Sequence, residues 1–184
     1  MFLISKRKRI FDLIGCFISF WIFTPVALLI ALLIFLEERK SIFFIQKRIG
    51  LNGKTFQVFK FRTMTDGQVT RVGKWLRKTG LDELPQYLNV ARGEISIVGP
   101  RPLTQFDIDR LNWERHKFRW QMKPGLTGLA QIKSGVSANH SLQADLDYFH
   151  KATMALDCKI ILISFLMNVF GKRRVQATLQ RWAT

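Results

Sequence analysis

The sequence predicts an α+β, membrane-associated chain: a re-entrant N-terminal helix broken at Pro25, a small β-hairpin, and several helices, some amphipathic and interfacial. Three observations predict it. From Leu13 to Leu36 no side chain is charged, and the run is long enough to enter a bilayer. Two runs rich in aromatic and β-branched residues flank Asn52-Gly53, a strong hairpin signal. Helical, cation-rich patterning dominates the rest of the chain. The expected organisation is a basic flank and re-entrant helix over 1–40, then a cytoplasmic domain over 41–184 that closes with an interfacial helix.

Thr24-Pro25 interrupts the apolar run near its middle. Proline has no N–H and clashes with the carbonyl four residues back, while lipid leaves no water to satisfy a freed group. The Thr24 hydroxyl is placed to do so. Two half-helices of about 12 residues reach roughly 18 Å each, short of a hydrocarbon core of about 30 Å. Lys6, Arg7, Lys8 and Arg9 precede the run; Arg39, Lys40, Lys47 and Arg48 come after it. Positive charge marks the cytoplasmic side, and here both ends carry it. A re-entrant anchor is therefore expected, with a single-pass anchor that tolerates its proline as the alternative. The length of the run and the absence of a small-residue cleavage site argue against a signal peptide.

Lys and Arg total 29 against 13 Asp and Glu, a net charge of +16 in 184 residues, so the partners are anionic. Nucleic acid, an anionic lipid surface and a phosphorylated substrate all qualify, and the apolar run favours the last two. Cys16 and Cys158 do not make a disulfide framework, which suits a reducing compartment. His116, His140 and His150 lack metal-ligand spacing and read as structural or surface residues.

Strands are expected over Ser41–Arg48 and Thr55–Thr63. In the second, Phe59 and Phe61 alternate with Lys60 and Arg62, giving one apolar and one cationic face. A basic helix from about Thr70 stops at Thr79-Gly80. Asp82 then stands as an N-cap ahead of a helix over Glu83–Val90, with Pro85 in its first turn, where proline is tolerated. A loop over Gly93–Pro102 precedes a helix-like stretch from about Thr104 to Gln121. Pro124-Gly125 and Gly128 mark a turn before the short apolar run Leu129–Ile132. The chain is helical again from Leu142. Its segment Ile160–Phe170 is too short to span and is succeeded by Lys172, Arg173 and Arg174. That segment reads either as an interfacial helix or as a core helix.

Acidic residues are scarce, so the adjacent pair Asp82-Glu83, just after Arg77 and Lys78, stands out. A helix start attracts phosphate, two carboxylates beside a phosphate suit Mg²⁺, and a carboxylate can attack phosphorus to give an acyl phosphate. An N-cap and a first-turn glutamate explain the same pair without chemistry. Asp12, beside Lys8 and Arg9, reads as an ion-pair partner. Arg48–Lys54 is not a Walker loop, and neither a dinucleotide fingerprint nor a Gly-x-Ser-x-Gly elbow is present.

The ordered set of motifs says more than any member. Lys8-Arg9-Ile10-Phe11-Asp12 precedes the Pro-broken apolar run. Gln46-Lys47-Arg48-Ile49-Gly50, Gly53-Lys54 and Lys60-Phe61-Arg62-Thr63-Met64 lie beyond it. Then come Leu81-Asp82-Glu83-Leu84-Pro85-Gln86 with Asn89-Val90, Val98-Gly99-Pro100-Arg101-Pro102, and Pro124-Gly125-Leu126-Thr127-Gly128-Leu129-Ala130-Gln131. This set, over about residues 6–170, closely resembles the bacterial sugar transferases that are monotopic phosphoglycosyl transferases acting on polyprenyl phosphate, in their small form.

The resemblance implies transfer of a sugar-1-phosphate from a UDP-sugar to undecaprenyl phosphate, releasing UMP and leaving undecaprenyl-diphospho-sugar, the first membrane step of surface glycoconjugate synthesis. By motif, Asp82 is the expected nucleophile and Glu83 the expected Mg²⁺ ligand. Lys60, Arg62, Arg77 and Arg101 are the expected phosphate contacts, and Thr24 and Pro25 the membrane kink. The expected partners are the UDP-sugar, undecaprenyl phosphate and membrane lipid, without nucleic acid and with a homodimer left open. The expected location is the bacterial inner membrane, with the catalytic domain facing the cytoplasm. Three departures from the family pattern are Thr24 where Ser is commoner, a short link between Met64 and Arg71, and Gly80 where Ser is frequent.

Overall fold

A single helix, α1 (Lys6–Glu38), opens the chain and sets its architecture. The computed structural model describes residues 2–110, 113–133, 138–171 and 174–176. Ser5 caps α1 by accepting from the Lys8 N–H, and Arg39 closes it in a left-handed conformation. The expected break at Pro25 is not found, because helical backbone continues through Thr24-Pro25. The Thr24 hydroxyl donates to the Phe20 carbonyl at 2.5 Å. Such back-bonding lets a helix absorb a proline, often with a bend. By length and composition α1 could cross a membrane.

Both ends of α1 are held by the rest of the chain. Near its start, Lys8, Asp12 and Cys16 are buried one turn apart; near its end Ile30 and Ile34 are buried. No residue between Cys16 and Ile30 is buried. Arg9 donates to the carbonyls of Val90 and Ala91 at 2.5 and 2.7 Å. Glu37 accepts from the N–H groups of Arg71 and Val72 at 2.9 and 3.1 Å, so α1 supplies a carboxylate to the start of another helix.

Strands β1 (Phe43–Ile49) and β2 (Thr55–Phe61) form the expected antiparallel hairpin, pairing Phe43 with Phe61 and Ile49 with Thr55. Asn52 and Gly53 take positive φ in its turn. The division of β2 into apolar and cationic faces needs correction. Val58, 1% exposed, shares the Lys60 side, so that side is half core. The Met64–Arg71 link is a second, minimal hairpin, β3 (Met64–Thr65) on β4 (Gln68–Val69). Asp66 and Gly67 both take positive φ at its turn, as an Asp-Gly pair allows.

Helix α2 (Arg71–Thr79) is capped by Thr70 and stops at Gly80, whose φ is 72°. It buries Gly73 and Leu76 and exposes Arg71, Lys74, Arg77 and Lys78. A 3₁₀ turn over Leu81–Gln86 leads into α3 (Tyr87–Arg92). Within the expected Gly93–Pro102 loop lies β5 (Ser96–Val98), paired in parallel with β6 (Gly125–Thr127). The expected helix over Thr104–Gln121 is instead α4 (Gln105–Asp109), with a capping box from Thr104 and Asp107, and then a 3₁₀ segment over Trp113–Gln121.

Helices α5 (Leu129–Lys133), α6 (Ala138–Lys151) and α7 (Met154–Phe170) complete the described chain. Both readings of the C-terminal helix find support. Ile160, Ile163 and Met167 of α7 pack in the core with Val98 and Tyr148, while Leu162, Phe165, Val169 and Phe170 are exposed. His116 is buried, as a structural histidine should be. The side chain of His140, and Lys172 and Arg173, lie outside the described residues.

A buried charge network fastens α1 to α7. Lys8 Nζ lies 3.4 Å from Asp12 and 2.6 Å from Asp157. Asp12 also accepts from the Ser96 hydroxyl and the Ile97 N–H, and Tyr148 donates to Asp157 at 2.7 Å. Asp12 is thus an ion-pair partner, as expected, but within the core and not at its surface.

Candidate active site

The Asp82-Glu83 pair sits in the 3₁₀ turn between α2 and α3. Asp82 is not the N-cap that its position suggested. Gly80 holds that place in a left-handed conformation without a side-chain cap, and Asp82 lies inside the turn. Its carboxylate is therefore not spent on capping. Burial raises the Asp82 pKa above the ordinary carboxylate value, and the neighbouring Glu83 raises it further. Lys60, the Asp82 N–H and Arg77 pull the other way without prevailing.

Glu83 receives Lys60 Nζ at 2.5 Å, with its side chain a third exposed. Lys60 comes from β2, which is tied to the element after the dyad by Asn89. This fully buried amide accepts from the Phe59 N–H and donates to the Gln57 carbonyl and to Glu94. Arg77, in the last turn of α2, donates through Nε to the Thr63 hydroxyl at 2.9 Å. The backbone of α2 can approach Thr63 this closely only through Gly73, where a Cβ would lie 2.2 Å from the Thr63 carbonyl oxygen. Sequence neighbours that look incidental, Thr63 and Gly73, thus aim Arg77.

The predicted site residues divide into groups. Asp82, Glu83, Lys60 and Arg77 come together. Arg101 stands beside Arg48 and Asp107, and shares a small notch with Lys60 and Glu83. Arg62 is not among the groups acting on Asp82. It lies just past β2, with its Nε buried and no hydrogen-bond partner. Thr24 and Pro25 are on α1, with Thr24 lining an apolar groove.

That groove, of about 590 Å³, runs between α1 and the dyad-bearing turn. Phe17, Phe20, Ala27 and Leu28 form one wall, and Phe61, Leu84, Pro85 and Tyr87 the other. Leu84, on the second wall, is the residue next to Glu83. The apolar groove and the carboxylate pair thus share one short turn, Leu84 and Pro85 lining the groove and Asp82-Glu83 preceding them, an arrangement suited to an amphiphile with an anionic head.

Among the described residues, three or more His, Cys, Asp or Glu side chains nowhere gather in a metal-ligating group. The donor set available at this site is two carboxylates. That set fits Mg²⁺, which commonly takes one or two carboxylates and completes its shell with phosphate oxygens and water.

Arg48 and Gln86, which sequence reasoning did not assign to the site, line the same notch as Lys60, Glu83 and Arg101. Both stand inside the ordered motifs, so the signal was present but carried no local chemistry.

Comparison with known proteins agrees with the motifs. The family described as bacterial sugar transferase matches residues 4–171. The chain is 36% identical over 193 residues to the undecaprenyl-phosphate glucose phosphotransferase of Komagataeibacter xylinus, covering 90% of this chain and 36% of that protein. It is 37% identical over 182 residues to the UDP-glucose:undecaprenyl-phosphate glucose-1-phosphate transferase of Caulobacter vibrioides, covering 86% and 68%. It is 36% identical over 185 residues to the uncharacterized sugar transferase EpsL of Bacillus subtilis (strain 168), covering 93% and 91%. With its ordered motifs, its helix-anchored dyad and a match across nearly the whole chain, this protein belongs to the bacterial sugar transferase family.

Proposed function

We propose that this chain transfers a sugar-1-phosphate from a UDP-sugar to undecaprenyl phosphate by way of a covalent intermediate on Asp82. The observation that carries the reading is the junction of the apolar groove with the Asp82-Glu83 turn. Relatives named for this reaction supply the substrate classes.

In the first displacement, a carboxylate oxygen of Asp82 attacks the phosphorus that bears the sugar. The bond from that phosphorus to the bridging oxygen breaks, and UMP leaves with the bridging oxygen. In the second, a phosphate oxygen of the lipid attacks the same phosphorus, the Asp82–phosphorus bond breaks, and undecaprenyl-diphospho-sugar forms. Splitting the transfer lets the soluble donor and the lipid acceptor react in turn. Arg77 and Arg101 contact phosphate oxygens, and Lys60 holds Glu83 in place. Glu83 would hold Mg²⁺, which when bound supplies charge neutralisation for the diphosphate and the departing UMP. Arg62 is the weakest member of the predicted phosphate set, since it is not among the groups acting on Asp82.

The membrane reading draws on α1. Its two ends are bound to the same domain, through Arg9 on α3 and Glu37 on α2, which supports a helix that enters and leaves by one face. Its unburied middle and the exposed apolar face of α7 both suit lipid contact. In a bacterial inner membrane this arrangement keeps the dyad in the cytoplasm with the UDP-sugar.

The test is UMP release from a panel of UDP-sugars by nanodisc-held protein with Mg²⁺, with and without undecaprenyl phosphate. Lipid-dependent turnover is expected, and should be lost in Asp82→Asn with an unchanged melting temperature. Substantial turnover by that variant removes Asp82 from the nucleophile role.

A further inference from the structure

Beside the dyad lies a small polar notch of about 20 Å³, room for one oxygen-sized group. Arg48, Lys60, Glu83, Gln86 and Arg101 line it. Gln86 is 3% exposed, and its side-chain amide makes no hydrogen bond among the described residues. Neither amide atom is among the fully buried, unpartnered polar atoms, so both stay accessible, and an oxygen entering the notch can bond them. Asn89, three residues on and fully buried, shows the usual outcome: its amide is bonded on both atoms.

Arg48 is prepared for the same notch. Its Nη2 donates to Gln46 Oε1 at 2.6 Å, and its Nη1 donates to the Pro102 carbonyl at 3.1 Å and approaches Asp107 Oδ2 at 3.4 Å. That carboxylate oxygen is itself fixed by the Thr104 N–H and hydroxyl at 2.8 and 2.7 Å. Burial and then the charge of Arg101 lower the Arg48 pKa, with Asp107 and Glu83 opposing. Two guanidinium groups held close enough to repel one another are relieved by an anion between them.

We infer that Gln86 and Arg48 are further substrate-binding residues, which with Arg101 receive a diphosphate oxygen of the nucleotide donor in this notch, and that Asp107 is a positioning residue for Arg48. The inference rests on the proposed donor class. The Gln86 amide offers a neutral N–H to the oxygen, while the arginines supply charge, so binding energy does not depend on Lys60 leaving Glu83.

The experiment measures UDP and inorganic pyrophosphate binding by titration calorimetry, using full-length nanodisc-held protein in the Asp82→Asn background with Mg²⁺. Adding Gln86→Met, close in size but without hydrogen-bonding groups, should weaken both ligands about 10-fold. Arg48→Lys, which keeps charge but loses the fork, should weaken both by a similar factor. Asp107→Asn should show a smaller loss, restored by Asp107→Glu. Melting temperatures should stay near that of the parent. Unchanged UDP affinity in Gln86→Met overturns the inference alone. So does a loss confined to UDP, which would place Gln86 on the base or ribose, or a loss matched by a fallen melting temperature. Failure of the parent to bind UDP overturns the donor reading and this inference together.

Discussion

Two adjacent carboxylates meet different surroundings, because only one receives a cation directly. Glu83 is paired with Lys60 at 2.5 Å, while Asp82 is half-buried without an ion pair among the described residues. Burial first, and Glu83 second, raise the Asp82 pKa. As the proposed nucleophile, Asp82 must be ionised, so activity should fall as pH drops through this raised value, at a higher pH than an ordinary aspartate would impose. Lys60 acts in the opposite direction. Lys60→Met should therefore shift the acid limb of kcat/KM for UMP release upward in pH as well as slow the reaction. A pH–rate profile of both proteins checks this, and an unmoved limb would mean that Lys60 does not act on Asp82. None of this was readable from residue order, where Asp82 looked like a cap. The left-handed Gly80 took that place instead, as a residue without Cβ can.

Among the elements, α1 departs most usefully from its expectation. The sequence marked Thr24-Pro25 as a break, because a proline removes one backbone hydrogen bond and adds a clash. The helix absorbs both, with the Thr24 hydroxyl on the Phe20 carbonyl. What returns both ends to one domain is tertiary: Arg9 on the last carbonyls of α3, and Glu37 on the first N–H groups of α2. Single cysteines at Lys6 and Lys40, with Cys16 and Cys158 replaced by serine, should both react with a membrane-impermeant maleimide from the cytoplasmic face of inverted vesicles. Labelling of the two positions from opposite faces would establish a spanning helix. Shorter elements were less legible. The hairpin β1–β2 announced itself through Asn52-Gly53, but β5 and β6 pair across 29 positions (Ser96 with Gly125), and parallel pairing has no local turn signal.

At the scale of the molecule, the Lys8–Asp12–Asp157–Tyr148 network joins the first helix to the last across the core. Lys8→Met would leave two buried carboxylates without their cation, and breaking such a pair costs about 3–5 kcal/mol. A large drop in melting temperature is expected at neutral pH. The sign of its pH dependence comes from Asp157, whose pKa is raised chiefly by burial, with Lys8 and Tyr148 resisting. Without Lys8 the protonated form gains further, so the variant's deficit should shrink as pH is lowered toward the ordinary carboxylate range near 4. A deficit constant with pH would show that the loss is one of packing. The sequence by itself determined the apolar run, the basic balance, the first hairpin, α2 and the dyad, together with the family, because these depend on local periodicity, turn chemistry and motif order. Only the tertiary structure decided which carboxylate stays unpaired, that Thr63 and Gly73 aim Arg77, that Gln86 lines the notch beside Glu83 and Arg101, and that both ends of α1 meet one domain. Those outcomes depend on contacts between distant residues, such as Lys8 and Asp157, 149 positions apart, whose pairing is set by the packing of the whole chain and by no local pattern.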